Sequence, residues 1–458
     1  MNNLAYKYIS TISFSDLYNW SFQYAQKCEN LFTNKYKCVS IGSFLVRIKD
    51  PVDIEDNQNY KRVSIKLYNG GITLRDIELG VNIGTKKQFR IKQGHFLLSK
   101  IDARNGAIGI VPESCNDAII TGNFWDFEID TDKADPQFLS LLMTTDYFVK
   151  LFDKASNGTT NRHYLQEDLF LKTEIPLPSL DIQKEFVKKY NDKIKLAEEQ
   201  EQKANDLEKN IEKYLFKELN VSIESNNIED YHKSLISFID LKTLSRWGVE
   251  YLINKKKDSS LLKSKTIQMK RLGDIVEIDP KNNFSLLDKS LEMSFIPMPC
   301  ISDEYGEIIK LEDGVNEKSK GYTRFQEGDL IWAKITPCMQ NGKSAILKGL
   351  KNGYGYGSTE FYVIRNSNPK VCLDYIYHIL RTKIVRQNAM TYFTGSSGQQ
   401  RVPKSYLQNL EIPLPEIKIQ KSISDEIYMM KDKIKELKQQ AEQNRIAAQE
   451  EFEKELFE

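Results

Sequence analysis

Lysine and arginine are concentrated in two stretches of this sequence. Residues 61–105 hold ten lysines and arginines against three acids, a net charge of +7, and residues 318–351 hold seven against two, a net charge of +5. The whole chain has a net charge of only +1, so its basic charge is segregated. Clustered cations neutralise the phosphates of nucleic acid, and arginine, lysine, asparagine and glutamine also hydrogen-bond the edges of purine bases. Nucleic-acid binding is therefore the chemistry that these stretches favour.

Each stretch combines cations with amides and tyrosines. In the first, the candidate side chains are those of Lys61, Arg62, Lys66, Tyr68, Arg75, Lys86, Lys87, Arg90, Lys100, Arg104 and Asn105, with Asn161 and Arg162 further along. In the second, they are those of Lys318, Lys320, Tyr322, Arg324, Lys334, Gln340, Asn341, Lys343 and Tyr354, with Gln399, Gln400, Arg401 and Lys404. A solvated charged face explains any single residue equally well, so we assign DNA binding to the clusters as sets. The loops around Arg162 and Arg401 have a second explanation, which is that they brace the junction with the helix that follows.

The sequence offers little for catalysis or metal binding. Its six cysteines include no C-x-x-C pair and its four histidines are scattered, so we expect neither a disulfide framework nor a zinc site. It lacks an N-P-P-Y or D-P-P-Y motif for a flipped adenine and a G-x-x-x-x-G-K-[ST] phosphate loop. The G-Y-G-Y-G run at Gly353–Gly357 has no helix signal after it, and we expect a turn or hairpin there. A fused nuclease or methyltransferase is the least supported function.

Length and composition limit the architecture. The chain has 458 residues, which suggests two to four domains at about 100–200 residues each. Hydrophobic residues make up 40% and charged residues 28%, enough apolar material for folded cores. The sequence has no apolar run approaching eighteen residues, and its first residues lack the basic flank and apolar core of a signal peptide. We therefore expect a cytoplasmic protein with no membrane partner.

An internal repeat determines the domain organisation. E-I-P-L-P at Glu174–Pro178 and I-Q-K at Ile182–Lys184 return as Glu411–Pro415 and Ile419–Lys421, with eight identities in eleven positions at an offset of 237. Weaker echoes precede this motif, since Leu17–Tyr24 resembles Leu244–Tyr251 and Gly94–Ile101 resembles Gly328–Ile335. The chain therefore consists of two copies of one unit.

Each copy has a globular part and then a long helix. Short apolar runs bounded by turn residues predict strands at Gly94–Ile101, Ala107–Val111, Phe124–Ile129, Asp329–Ile335 and Glu360–Ile364, while Pro136–Phe152 and Cys372–Tyr392 predict helices. Strands and helices do not alternate regularly enough for a doubly wound sheet, so the predicted fold class is α+β. The prolines of both I-P-L-P segments predict extended backbone.

The segments that follow the two I-P-L-P motifs have apolar residues at alternating spacings of four and three, which is typical of coiled-coil helices. The first of them, 38 residues from Ile182 to Leu219, would span about 57 Å. We expect the two helices to pair antiparallel, with Phe186, Tyr190, Ala197, Ala204, Ile211 and Leu215 against Ile423, Ile427, Ile434, Ala441, Ala448 and Phe452 in reversed order. Polar residues such as Gln200 and Asn444 interrupt the stripe and leave room for other proteins. The alternative is that each helix packs only on its own globular part.

Two loops complete the repeated pattern. T-G-S-S-G-Q-Q-R-V at Thr394–Val402 precedes the second E-I-P-L-P motif, and a degenerate form at Ser156–Arg162 precedes the first. Together with the strands G-H-F-L-L-S-K-I and G-D-L-I-W-A-K-I and the duplicated helices, these loops give the chain a pattern that covers nearly its whole length. In this pattern the chain resembles the DNA-specificity (S) subunits of type I restriction-modification systems.

The resemblance implies a non-catalytic subunit in a prokaryotic cytoplasm. It implies target-recognition domains at residues 1–178 and 221–415, a central spacer helix at 179–220 and a C-terminal spacer helix at 416–458. Each domain would read half of a bipartite sequence in double-stranded DNA, while the helices would set the spacing and bind two methyltransferase (M) subunits. S-adenosylmethionine, ATP and Mg²⁺ would serve those subunits and the motor-nuclease (R) subunits, with no cofactor in this chain. The target sequence and its spacer length do not follow from the residues.

Two alternatives to a type I subunit stay open. One is a specificity subunit of another methylation-based defence system, which the sequence does not separate from type I. The other is a coiled-coil scaffold that binds only proteins. The scaffold predicts no salt-dependent DNA affinity, whereas binding through ion pairs weakens steeply as salt rises.

Overall fold

The structure is a computed structural model that describes residues 35–67, 70–145, 147–148, 156–157, 164–221, 261–281, 284–396 and 398–457. It forms two compact units, a first unit of residues 1–200 with 439–458 and a second unit of residues 201–438. The echo between Leu17–Tyr24 and Leu244–Tyr251 lies outside the described residues. The chain passes between these two units inside the long helices, at residues 200/201 and 438/439, whereas the predicted domain boundaries lie at the ends of those helices. The predicted boundaries therefore stay a prediction.

The first unit contains the following elements. Its strands are β1 (Cys38–Ser40), β2 (Leu45–Ile48), β3 (Pro51–Asp53), β4 (Asn59–Ile65), β5 (Ile72–Leu79), β6 (Lys87–Arg90), β7 (Phe96–Ser99), β8 (Ile108–Ile110), β9 (Ile119–Ile120), β10 (Phe124–Ile129), β11 (Ser156–Asn157), β12 (Tyr164–Leu165) and β13 (Glu174–Pro176). Its helices are α1 (Pro136–Met143), α2 (Glu167–Lys172) and residues 180–200 of α3 (Leu180–Glu218).

Strand β7 lies between two cores of the first unit. It belongs to a sheet in the order β2-β10-β7-β8 and is buried along its whole length. Phe96 and Leu98 face a core that includes Phe138 of α1, whereas Leu97 packs with Ile120 of a second sheet, in the order β3-β6-β9-β4-β5. Successive side chains of a strand point to opposite faces, so a strand covered on both faces must be apolar throughout.

The second unit contains the remaining elements. Its strands are β14 (Met269–Arg271), β15 (Glu277–Ile278), β16 (Glu292–Ile296), β17 (Glu312–Val315), β18 (Thr323–Gln326), β19 (Leu330–Ala333), β20 (Ser344–Ile346), β21 (Tyr354–Gly357), β22 (Phe361–Arg365) and β23 (Glu411–Pro413). Its helices are residues 201–218 of α3, α4 (Leu272–Ile275), α5 (Leu373–Arg381), α6 (Lys383–Met390), α7 (Lys404–Asn409) and residues 417–438 of α8 (Ile417–Phe457). Residues 439–457 of α8 belong to the first unit.

The sheets of the two units correspond strand for strand. The order β15-β22-β19-β20 matches β2-β10-β7-β8, and β17-β16-β21-β18 matches β5-β4-β9-β6. The directions agree as well, because β4 runs parallel to β9 and β16 runs parallel to β21. Strand β3 is an added edge strand in the first unit. The repeat therefore extends to the second sheet of each unit, where the two sequences share almost nothing.

Both I-P-L-P segments are extended, as predicted, and a buried glutamine fixes each one. β13 pairs with β1, and β23 pairs with β14. Gln183 Nε2 donates to the carbonyls of Lys133 and Pro178 at 2.9 and 2.8 Å, while its Oε1 accepts from the Asp135 amide at 2.8 Å. Gln420 makes the same three bonds, at 2.8–3.0 Å, with Lys370 O, Pro415 O and Cys372 N. The glutamine of each I-Q-K motif therefore ties the start of a long helix to the loop before a shorter one.

The helices predicted inside the globular parts are shorter than expected. The prediction of one helix over Cys372–Tyr392 is wrong, because Thr382 is extended and its hydroxyl caps α6 by accepting from the Val385 amide. The helix predicted over Pro136–Phe152 is interrupted after Met143, where the Thr144 and Thr145 hydroxyls donate to the carbonyls of Leu141 and Leu142. Residues 147–148 are helical again, and residues 146 and 149–152 lie outside the described residues.

The prediction of a turn or hairpin at Gly353–Gly357 is also wrong. Residues 354–357 form β21, which lies between β16 and β18. The glycines permit this position, because a Cβ atom on Gly357 would overlap the Ile296 carbonyl oxygen and one on Gly355 would lie 2.5 Å from the Phe325 ring.

The long helices pair antiparallel within each unit. In the first unit, the rings of Phe186 and Phe452 lie 6.0 Å apart, and Lys189 Nζ lies 2.9 Å from a Glu455 carboxylate oxygen. Later on α3, Gln200 donates to Gln440 at 3.2 Å and accepts from Asn444 at 2.8 Å. The two polar interruptions of the apolar stripe are therefore hydrogen-bonded to each other.

In the second unit, residues of α3 pack on α8 in the same reversed sense. Ala204 packs with Ile434 and Leu437, and Leu215 shares the main core of this unit with Ile423. The residues predicted to pair are all buried or half-buried: Phe186, Tyr190, Ala197, Ala204, Ile211, Leu215, Ile423, Ile427, Ile434, Ala441, Ala448 and Phe452. The predicted α+β class, with two similar globular parts and two long antiparallel helices, is confirmed. Among the described residues, no helix has an apolar stretch long enough to span a bilayer.

Candidate DNA interface

A cleft of about 330 Å³ opens in the second unit between strands of its two sheets. It is lined by Asp279, Pro280, Tyr322, Thr323, Arg324, Lys334, Phe361 and Val363. Three of these, Tyr322, Arg324 and Lys334, were candidates for nucleic-acid binding on sequence alone. The fold therefore brings together residues that are up to twelve positions apart in the chain.

An aromatic ring positions Lys334 in this cleft. Its Nζ lies 4.9 Å from the centroid of the Tyr362 ring, a cation–π distance. The Tyr362 hydroxyl donates to the Val402 carbonyl at 2.8 Å. Burial raises the pKa of Tyr362 to about 12, so the ring beneath the ammonium group stays neutral.

Arg324 is positioned by β18 and by a neighbouring ring. Its guanidinium carbon lies 5.4 Å from the centroid of Phe284, and its Nε donates to the Ser319 carbonyl at 3.4 Å. Tyr322 is 46% exposed, and its ring packs on Phe295 and Tyr356 at 5.5 Å from each. The cleft thus offers a guanidinium and an ammonium group that are both held against aromatic rings.

Lys318 and Lys320 are exposed on either side of the buried Ser319. The turn that bears them is rigid, because Asn316 Nδ2 donates to three backbone carbonyls at 3.0–3.1 Å. Lys318 and Lys320 thus lie on an ordered turn that comes, in the chain, just before Tyr322, which lines the cleft.

Other candidates in the second unit have partners within the protein. Lys343 Nζ donates to the carbonyls of Met298 and Ile301, at 3.3 and 2.8 Å. Arg401 donates to both Glu360 carboxylate oxygens at 2.8 Å, and this pairing lowers the pKa of Glu360. These contacts fix the Arg401 loop within the globular part, and its role in bracing the junction with the helix stays a prediction.

The remaining candidates of the second unit differ in exposure. Asn341 and Gln399 are exposed, whereas Gln340 is half-buried and accepts a hydrogen bond from the Thr336 hydroxyl. Gln400 is half-buried, and its carbonyl accepts from the Thr336 amide at 3.0 Å.

Two arginines of the first unit are paired with acids. Arg62 donates to both Asp76 carboxylate oxygens, at 2.7 and 2.8 Å, and to Glu78 at 3.1 Å. Arg75 donates to the same Asp76 at 3.1 Å. These guanidinium groups lower the pKa of Asp76, and their charge is largely compensated.

Some lysines of the first unit are bonded within the protein and others are exposed. Lys61 donates to the Asn116 carbonyl at 3.2 Å, and Lys86 to Asp56 at 2.5 Å. Of the other candidates, Lys66, Lys87, Arg90 and Asn105 are exposed, and Lys100 is half-buried. The side chain of Arg104 and the whole of Arg162 lie outside the described residues.

The repeat matches two candidate cations of the first unit to two of the second. Lys100 corresponds to Lys334 within the predicted match of Gly94–Ile101 to Gly328–Ile335. At the same offset of 234, Arg90 corresponds to Arg324, which the sequence analysis missed. The signal was present as R-x-x-x-G, but its other residues differ too much to be noticed without the matching strands.

A family model described as the type I restriction modification DNA specificity domain matches residues 46–209 and 264–447. Each match includes a globular part and most of a long helix. The chain belongs to this family.

Curated proteins with similar sequence share the family description. The EcoEI specificity subunit of a type I restriction enzyme from Escherichia coli is 42% identical over 149 residues, and the EcoAI specificity subunit from the same species is 41% identical over 157 residues. These alignments cover 31% and 33% of this chain, and only 24% and 26% of the relatives. The alignments therefore span about a quarter of the length of these relatives.

Two solved structures share the specificity-domain fold. One belongs to a study of complex assembly and conformational transition of the type I R-M system; it has a TM-score of 0.57 at 16% identity and covers 92% of this chain and 98% of that chain. The HsdS subunit from Thermoanaerobacter tengcongensis has a TM-score of 0.51 at 15% identity, covering 93% and 97%. At such low identity these matches show the fold.

The described part of this specificity-domain chain has no group of three or more histidines, cysteines, aspartates or glutamates placed to hold a metal ion. What the described residues offer is cations positioned on β-sheets, which suits binding of an anionic polymer.

Proposed function

We propose that this chain is the sequence-specific DNA-binding subunit of a type I restriction-modification complex. Each unit would contact one half of a bipartite target in double-stranded DNA. The observation that supports this most directly is the duplicated second sheet, which has the same strand order in both units but different side chains. Equivalent scaffolds with different surfaces suit the reading of two different half-sites.

The proposal includes the partners of such a complex. Two methyltransferase subunits and motor-nuclease subunits would supply the chemistry, with S-adenosylmethionine, ATP and Mg²⁺ bound to them, in a prokaryotic cytoplasm. The chain itself would be non-catalytic. Purified alone and supplied with all three compounds, it should neither methylate nor cleave DNA, and turnover that follows the chain through purification would contradict this.

Selection from random DNA tests the central claim. The full chain, expressed with its methyltransferase partners, is mixed with random-sequence duplexes, and the bound fraction is sequenced. We expect enrichment of two short fixed sequences separated by a spacer of fixed length. A scaffold that binds only proteins would enrich no sequence.

A pair of charge variants assigns a half-site to the second unit. The double change Lys318→Gln with Lys320→Gln removes two exposed cations from the turn that precedes Tyr322. We expect weaker selection of one half-site and unchanged selection of the other. Equal loss at both half-sites would contradict the assignment of one half-site to each unit.

We also propose that the paired helices set the spacer length. The support is that α3 is a continuous helix of 39 residues that belongs in part to each unit. Inserting four residues beside Ala204 adds about 6 Å of helix and keeps the apolar stripe roughly aligned. The spacer should then lengthen by one or two base pairs at about 3.4 Å each, while both half-sites stay the same. An unchanged spacer in an active complex would exclude this role.

A further inference from the structure

The two units place the same two cations at the same points of their sheets. Arg90 ends β6 and Arg324 lies on β18, and in both units a glycine turn leads from there into the buried strand that follows. The turn has the same conformation in each, because φ is +81° at Gly94 and +82° at Gly328. Only glycine adopts this left-handed conformation without strain.

The two lysines at the far end of that buried strand are held by identical backbone bonds. The Lys100 carbonyl accepts from Leu165 and the Lys334 carbonyl accepts from Val402, both at 2.9 Å. The Lys100 amide donates to the Asn123 carbonyl, just before β10, at 3.0 Å. The Lys334 amide donates to the Glu360 carbonyl, just before β22, at 2.9 Å. The two lysine positions are therefore equivalent in space as well as in sequence.

An aromatic residue also recurs at the neighbouring position of each sheet. Trp125 of β10 pairs with Leu98 of β7 in the first unit, and Tyr362 of β22 pairs with Trp332 of β19 in the second. Leu98 and Trp332 correspond at the offset of 234, so their partners Trp125 and Tyr362 correspond as well. Trp125 and Tyr362 are each 7% exposed. In the second unit, the Tyr362 ring is the surface on which Lys334 lies.

The other polar residues between these points differ between the units. Lys92 corresponds to Gln326, and His95 corresponds to Asp329. A residue that discriminates between two half-sites must differ from one unit to the other, whereas a residue that contacts phosphate can be the same in both. The shared cations thus have the properties of backbone contacts.

We propose that Arg90 with Lys100, and Arg324 with Lys334, form two equivalent phosphate-binding pairs that seat each unit on the DNA backbone irrespective of base sequence. This inference rests on the proposed DNA-binding function. In the second unit the phosphate would enter the cleft beside Tyr322. The bases would then be read by side chains elsewhere on the same sheet.

Salt dependence of binding to non-specific DNA tests the pairs without knowledge of the target. The full chain is titrated with a random-sequence duplex at several salt concentrations, and the slope of log affinity against log salt is measured. Changing all four residues to glutamine should make the slope shallower by between three and four, because each lost phosphate contact removes about 0.9. Each pair alone should account for about half of this change.

Matched controls separate a binding role from a loss of fold. Lys184→Gln with Lys421→Gln removes two exposed lysines that also correspond by the repeat, and it should leave the slope unchanged. Arg324→Lys with Lys334→Arg keeps both charges and should retain the slope of the unsubstituted chain. Thermal melting of every variant shows whether it is folded.

The possible outcomes are distinct. Folded variants whose slope equals that of the Lys184 and Lys421 control would overturn this inference alone, as would a change caused by only one of the two pairs. Absence of any salt-dependent binding by the unsubstituted chain would overturn the proposed function together with it.

Discussion

At the residue scale, corresponding positions in the two units bear different buried pairs. Asp329 is 1% exposed, and its carboxylate accepts two hydrogen bonds from Arg365, at 2.7 and 2.6 Å. The corresponding residue of the first unit is His95, whose Nδ1 lies 2.8 Å from the buried Asp126. The position before each buried strand is thus polar in both units. In the second unit this position holds the acid, Asp329, whereas in the first unit the acid is Asp126 on the neighbouring strand β10.

Removing one member of the Asp329–Arg365 pair should be strongly destabilising. Asp329→Ala leaves a guanidinium group without its carboxylate, and we expect the free energy of unfolding to fall by about 3–5 kcal/mol. The matched control is Glu436→Ala, which breaks a pair with Lys433 whose side chains are about half exposed and should cost less than about 1 kcal/mol. Urea denaturation of both variants measures the difference, and similar losses would contradict this view of the buried pair.

The sequence predicted which residue types could bind DNA but not which of them are already paired. Arg62, Lys343 and Arg401 have the same chemistry as Arg90, yet their donors are bound to carboxylates or carbonyls. Asp76, Ile301 and Glu360, which accept these bonds, lie 14 to 42 positions away in the chain. Pairing at such separations is decided by strand register, which the order of residues alone does not give.

At the element scale, the two glutamine clamps are duplicated structural devices. Gln183 and Gln420 are both fully buried and each makes three hydrogen bonds to backbone groups. Their sequence context did not predict burial. Each glutamine lies in the first turn of a long helix, two residues after Asp181 or Lys418. A polar residue in a helix start ordinarily indicates a solvated turn.

Replacing either glutamine by methionine should cost about the same in both units. Methionine has a similar volume but leaves two carbonyls and an amide without partners, so we expect a loss of roughly 2–4 kcal/mol from three hydrogen bonds. Calorimetry of Gln183→Met and Gln420→Met measures this loss. A variant that affects one unit only slightly would show that the clamps are not equivalent.

The packing of α8 on α5 in the second unit makes its stability depend on pH. Burial, reinforced by the nearby Arg381, lowers the pKa of Lys431 to about 7 from 10.5. Its Nζ donates to the Tyr377 hydroxyl at 3.0 Å and lies 4.6 Å from the centroid of that ring. Between about pH 7 and 10.5 the unfolded chain therefore binds the extra proton, and stability rises with pH through this range.

A lysine-to-methionine change should remove this dependence. The quantity to compare is the free energy of unfolding of Lys431→Met minus that of the unsubstituted chain at the same pH. We expect this difference to be about 2 kcal/mol more favourable to the variant at pH 7 than at pH 9. Lys433→Met, on the exposed side of the same helix, should show no such trend. A constant difference between pH 7 and 9 would mean that Lys431 keeps an ordinary affinity for its proton.

Element boundaries were predicted best where a strand or a proline fixes them. Phe124–Ile129 and both I-P-L-P segments are as expected, and the long helices begin within two residues of the predicted positions. The break at Thr382 was missed, because threonine is tolerated inside helices and its capping role depends on the neighbouring core.

At the scale of the whole molecule, the first unit is assembled from two separate parts of the chain. Phe452, Leu456 and Phe457 are buried in the same core as Phe138 and Phe186. The second unit, in contrast, is one continuous segment of residues 201–438.

Removing residues 451–457 should therefore weaken the first unit selectively. The deletion takes three buried side chains from its core, and Phe452→Ala alone should cost about 3–5 kcal/mol. Hydrogen exchange should become faster in β7 and β10 while β19 and β22 keep their protection. Equal loss of protection in both units would indicate that they unfold as one.

This discontinuity has a consequence for synthesis on the ribosome. Domains ordinarily fold in the order in which they emerge. Here the second unit can be completed first, because the last core residues of the first unit are translated roughly 260 residues after its globular part, on the order of ten to fifty seconds later at about 5–20 residues per second. During that interval Phe186 packs on Phe138 of α1, while the side of α3 that faces Phe452 is uncovered until residues 439–457 arrive.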